Sequence, residues 1–219
     1  MSWTAAIATI FLLAAYEVWF ALARRRRPAQ LARTAHATLR EEWFDAVARH
    51  PGSEVLAVQT LRNSLMSASI TASTAVLALI GTITLSAPSL NTTLGDPSAA
   101  ASLFTPRLAV ELLMLALLFA SLASSVMAMR YYNHAGFIGG MPVASEPRQR
   151  WHAVGSAYVR RAGVLYGWSL RNLVLVVPAA SFVLHPAAGP LAALLVIVVL
   201  FGFDRVQVQA SSSNPPSHP

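Results

Sequence analysis

The stretch Val58-Gln59-Thr60-Leu61-Arg62-Asn63-Ser64-Leu65-Met66 decides how the whole chain reads. An arginine and an asparagine stand here at the mouth of an uncharged run, residues 64–87. At about 1.5 Å of rise per residue, a helix through that run crosses the roughly 30 Å apolar core of a bilayer. The trio returns as Leu170-Arg171-Asn172, just after Ser169, at the head of another apolar run. A cation placed twice at a membrane boundary, each time followed by an amide, predicts a polytopic membrane protein with an intramembrane polar belt.

Composition agrees with that class. Hydrophobic residues make up 55% of the 219 residues and charged residues only 11%. A soluble domain carries about a quarter charged residues, so this chain lacks the surface that water demands. The absence of cysteine excludes disulfides, thiolate metal sites and cysteine nucleophiles. All 16 basic residues are arginine, and the net charge is +7. Such a balance raises nucleic acid as a partner, but these arginines flank hydrophobic spans and line no soluble face. The reading is no nucleic acid, with arginine collected on the cytoplasmic side beside anionic lipid. The arginine- and alanine-rich usage fits a GC-rich bacterial genome, hence a bacterial inner membrane.

Working outward from Arg62, four spans emerge and a fifth run follows. The first covers residues 3–23 and is closed by Arg24-Arg25-Arg26-Arg27, which are expected to hold anionic headgroups. Charge after the apolar run, and not before it, reads as an uncleaved anchor with its N-terminus outside. Between residues 28 and 52, Leu31, Ala35, Leu39, Trp43 and Val47 recur at helical spacing among charges. That pattern predicts an amphipathic helix on the inner surface. The second span holds Ser67, Ser69, Thr71, Ser73 and Thr74 among alanines. Small residues allow close helix approach in lipid, which predicts this span at the centre of the bundle.

The third span, about residues 108–129, ends in Arg130-Tyr131-Tyr132-Asn133-His134. Residues 146–161 predict a second inner amphipathic helix, and 163–184 a fourth span. The run 187–203 is a fifth span or half of a re-entrant hairpin with the run before it. Residues 206–219 read as a disordered tail after a single transmembrane domain, 1–205. Arginines number eight from Arg24 to Arg62 and five from Arg130 to Arg161, against Arg107 alone in the loop between. This asymmetry places the N-terminus outside and the C-terminus in the cytoplasm. Trp43 precedes Arg62 by 19 residues and Trp151 precedes Arg171 by 20, so residues 3–87 and 108–184 could be a parallel duplication.

The candidate polar belt comprises Glu17, Gln59, Arg62, Asn63, Arg171 and Asn172. Glu17 and Arg171 each fall about two turns in from the inner boundary, so pairing them is the economical solution for two buried charges. Tyr131, Tyr132, Asn133 and His134 form a candidate inner-side cluster, although the favoured local reading is an interfacial aromatic belt with a histidine that caps the third span. No histidine falls mid-span, which argues against a bis-histidine haem. A metal held by His134 and His152 stays open, without close ligand spacing to support it. No phosphate loop, nucleophile elbow or catalytic carboxylate pair is present. No catalytic residue and no cofactor are therefore assigned.

The stretch 58–66 and the motif Arg130-Tyr131-Tyr132-Asn133-His134-Ala135-Gly136-Phe137 together resemble the membrane-protein family catalogued as domain of unknown function 599. The resemblance runs from the first span to near Arg205. It implies an integral membrane protein of several helices and brings no catalytic residues with it. The expected function is a homo-oligomeric channel or small transporter. The alternatives are a non-catalytic accessory or scaffold subunit of a larger membrane assembly and, third, a metal-binding membrane enzyme.

Overall fold

The computed structural model describes residues 3–26, 32–95 and 104–204. Among these residues the chain is all-helical, in six helices. They are α1 (Trp3–Arg26), α2 (Ala32–Val47), α3 (Glu54–Gly95), α4 (Pro106–Gly139), α5 (Glu146–Leu184) and α6 (Ala188–Asp204). Four of them, α1, α3, α4 and α5, are long and apolar enough to cross a membrane, so this is a multi-pass membrane protein. The shorter α6, at 17 residues, spans about 25 Å. The tail 206–219, Arg27, and the side chains of Arg24, Arg25 and Arg26 lie outside the description.

Local chemistry sets the helix ends. Gly52, at φ 88°, makes the left-handed turn between α2 and α3. Ser53 then donates its hydroxyl to the carbonyls of Val47 and His50, tying the end of one helix to the start of the next. Glu54 follows in the first turn of α3, where a carboxylate favours the positive end of the helix dipole. Thr105 caps α4 by accepting from the Leu108 amide, with Pro106 just inside. Ser145 does the same for α5 through Arg148. At 42 and 39 residues, α3 and α5 run to about 60 Å, twice the apolar core of a bilayer. Both therefore project well beyond the membrane at the arginine-rich end.

Three expectations are corrected by this arrangement. The second inner amphipathic segment is no separate helix: residues 146–161 continue without a break into the span as α5. The backbone stays helical through Gly155 and, at the junction with the apolar run, Gly163. The central helix is α5, which packs against all five others, and not the small-residue span. That span, α3, packs mainly on α4 through Ala68, Thr71, Ala72 and Ala75, while Ser67, Ser73 and Thr74 face away from the bundle. Its small residues encircle the helix, and α4 covers one face only. Finally, the buried face of α2 is Ala37, Phe44 and Val47, with Leu39 61% exposed. Phe44 packs on α5, where a Cβ at Gly155 would stand 2.8 Å from its ring. Thus α2 is docked on the projecting half of α5 through part of the expected face: Val47 is buried and Trp43 half-buried, Leu39 turns outward, and Leu31 and the side chain of Ala35 lie outside the described residues.

Apolar packing is layered. Phe44, Leu61, Ala128, Tyr132 and Val159 form the core at the arginine-rich end. Ala6, Val110, Met114 and Phe182 form one cluster at the opposite end, and Leu13, Leu175 and Val196 another along α6. Gly189 lets α6 approach closely: a Cβ there would meet Phe182 and Thr9 at 2.7 Å.

Candidate functional site

The two motifs singled out in the sequence face each other across the α3–α4 contact. Arg62 shares a cleft of about 730 Å³ with Tyr132 and Asn133, walled by Leu61, Leu65 and Phe137. On the other side of Leu61 and Tyr132 lies a second chamber of about 300 Å³, beneath α2. Its lining includes Arg40, Trp43, Thr60, Ser64 and Tyr132. Leu61 and Tyr132, both only 3% exposed, form the partition between the two spaces. Arg40 reaches the chamber because α5 offers no side chain at Gly163, where a Cβ would fall 2.6 Å from its guanidinium. Its hydrogen bond among the described residues goes to the carbonyl of His36, one turn back on its own helix. Each space thus carries an arginine that no carboxylate neutralises among the described residues.

The tyrosine-asparagine-histidine cluster divides according to helix face. Tyr132 and Asn133 turn toward α3. Tyr131 and His134 turn toward α5, with ring centroids 5.4 and 6.0 Å from Tyr158. His152, the other histidine considered for a metal, lies 2.9 Å from Asp45 and stacks on Phe44. The described residues contain no group of three potential metal ligands. Gln59 borders a small recess with Glu54 and Gly140, and Asn63 is exposed on α3.

Glu17 and Arg171 do meet: Arg171 Nε donates to Glu17 Oε1 at 2.7 Å. The guanidinium is 4.0 Å above the Phe20 ring and 5.0 Å from the Tyr16 ring, in a setting where Arg171 is only 4% exposed. A cation over two aromatic faces and against a carboxylate has its charge balanced within the bundle. Two residues back in the same layer, Ser169 exchanges hydrogen bonds with Ser121 and joins Ser125, locking α5 to α4. Asn172 is half-buried beside Arg171.

These residues occupy two levels. Arg130, which shares a cleft with Arg62, follows Ser125 by five residues on α4. Arg171 lies beyond Ser169 in the opposite direction, so roughly 10 Å of helix separates the two arginine layers. The two Leu-Arg-Asn trios are therefore unlike in place: Arg62 is exposed at the arginine-rich end, and Arg171 is buried against α1.

One residue escaped the sequence reading. Arg148, 2% exposed, donates to the Ile138 carbonyl at the end of α4 and lies 5.0 Å from the Phe44 ring centroid. It joins α2, α4 and α5 at the layer where the chambers open. Nothing in the sequence separates it from Arg150, two residues on and exposed. Only Gly155, which admits Phe44, hinted at a close helix contact here.

A family model described as protein of unknown function, DUF599, matches residues 4–209. No curated protein and no solved structure matches the chain.

Proposed function

The chain belongs to the DUF599 family, and from the geometry we propose that it is a homo-oligomeric channel or small transporter whose path is lined by α3. The observation that carries this reading is the uncovered face of α3. Asn63, Ser67, Ile70, Thr74, Leu77 and Gly81 are all exposed and follow one another by alternating steps of four and three residues. That spacing is the seam of a left-handed helix pair. Ser67 and Thr74 donate to carbonyls four residues back, so each hydroxyl oxygen keeps a lone pair for water or solute. Thr60 and Ser64 continue the hydroxyl line to the Arg40 chamber. Copies meeting along this seam enclose a polar strip whose mouth, at the cytoplasmic end, carries Arg40 and on its flank Arg62. A cationic mouth in a low-dielectric wall concentrates anions, so small anions are the favoured cargo. Glu17 and Arg171 serve in this reading as a structural clasp between α1 and α5, away from the path.

The test is flux in liposomes of the purified full chain. Small anions are expected to leave faster than from empty vesicles, with Thr74→Trp slowing them several-fold while the protein still elutes as one symmetric species. Absence of flux for anions, cations and small neutral solutes, together with a distinct co-purifying subunit, would favour an accessory role in a larger assembly.

A further inference from the structure

We propose that the groove between α3 and α4 is a binding site for an anionic phospholipid, its phosphate held by Arg62 and Arg130. The groove lies on the edge of α3 opposite the hydroxyl line, and nothing in its argument depends on transport. It has about 600 Å³ of space lined by Arg62, Leu65, Met66 and Ser69 from α3 and Val126, Met129, Arg130 and Asn133 from α4. Both arginines are exposed, and among the described residues neither has a hydrogen-bond or ion-pair partner. No acidic residue lines this groove or the adjoining cleft that shares Arg62 and Asn133.

Two arginines and an asparagine that line one groove from two helices offer the donors that the oxygens of one phosphate accept, arginine binding phosphate through paired, charge-assisted hydrogen bonds. The direction of the groove identifies the rest of the ligand. Moving from the arginines toward the centre of the bundle, α3 presents Met66 and Ser69 and α4 presents Met129 and Val126. An acyl chain hanging from a phosphate at Arg62 and Arg130 runs along that apolar floor. The arginine level, at the mouth of the apolar run of α3, is where headgroups of the adjacent leaflet lie. A zwitterionic lipid would bring an ammonium into a site that offers it no carboxylate. A lipid with net negative charge meets no such mismatch.

The full chain, reconstituted in nanodiscs of zwitterionic lipid with or without about a quarter anionic phospholipid, tests this. Anionic lipid is expected to raise the unfolding temperature, and native mass spectrometry of protein taken from a mixed pool should show anionic lipid retained over zwitterionic. Arg62→Gln with Arg130→Gln should weaken retention about tenfold or more, whereas Arg161→Gln, outside the groove, should leave it unchanged. The Lys pair should restore part of the retention through charge alone. If the double Gln variant does not fold, each single Gln variant is measured, and each should lower retention. Equal retention of the two lipid classes by the wild-type chain overturns the proposal. So does equal stabilisation by inorganic phosphate in zwitterionic discs, which would mark a soluble anion as the ligand. Unchanged retention in the folded Gln variants would place the lipid elsewhere.

Discussion

A buried charge needs partners that an exposed one does not, and the contrast between Arg171 and Arg62 shows which partners serve. Arg171 has a carboxylate at 2.7 Å and two aromatic rings beneath it. Arg62 has solvent or lipid exposure and, among the described residues, no protein anion. Removing one member of a buried pair leaves the other charge uncompensated, which typically costs about 3–5 kcal/mol, while removing both can be nearly neutral. Glu17→Gln and Arg171→Gln should therefore each lower the unfolding temperature in detergent, and the double variant should regain much of the loss. Simple addition of the two losses would show that the contact contributes nothing. Glu17 keeps about 30% of its side chain exposed, so the smaller penalty is expected when Arg171 is the residue removed. The meeting of these residues was legible because each is charged within an apolar run, and few partners exist at that depth. Arg148 was not legible, since a polar stretch gives no sign of which of its arginines is folded inward.

At the scale of elements, sequence periodicity located the spans and the first surface helix, but it did not foresee that residues 146–161 continue into the fourth span or that the small-residue span lies at the edge of the bundle. A hydrophobic stripe reports contrast with water, and in lipid that contrast disappears; burial then follows shape, set by glycine and alanine. Outside the apolar layer, glycine shapes the place of α2 as well. Its docking on α5 depends on Gly155 accommodating Phe44, with the ring only 2.8 Å from where a Cβ would stand. Gly155→Ala should force these helices apart and cost about 1–3 kcal/mol, as overpacking generally does. Gly136, half-buried on α4 where it lines the Arg62 cleft, has nothing within 4 Å of its would-be Cβ. Alanine there should be neutral or stabilising by up to about 1 kcal/mol, because it is the better helix former. Thermal unfolding of the two variants in one detergent decides the matter. Equal behaviour would mean that α2 yields freely and does not rely on this contact.

Considered whole, the molecule is lopsided: α5 is surrounded, whereas α3 is attached along one side and bare along the rest. In the proposed oligomer, the outward edge of this spanning helix, which carries Asn63, Ser67 and Thr74 in heptad register with Ile70, Leu77 and Gly81, is the contact between copies. Apolar side chains would meet lipid at less cost, so the edge is better explained by another helix. A second copy is the simplest occupant, because a seam read in the same register on both helices is self-complementary. The absence of cysteine makes the test direct. A single cysteine at Thr74 should form a disulfide-linked dimer on mild oxidation in native membranes, since bridging needs Cα atoms within about 7 Å. A cysteine at Leu191, 68% exposed on α6, should remain monomeric under the same oxidation. A further cysteine beside Arg150, probed with a membrane-impermeant thiol reagent in intact cells, should stay unlabelled if the arginine-rich end is cytoplasmic. Linking at Leu191 with none at Thr74 would move the contact between copies to α6 and leave the bare edge of α3 for a different subunit.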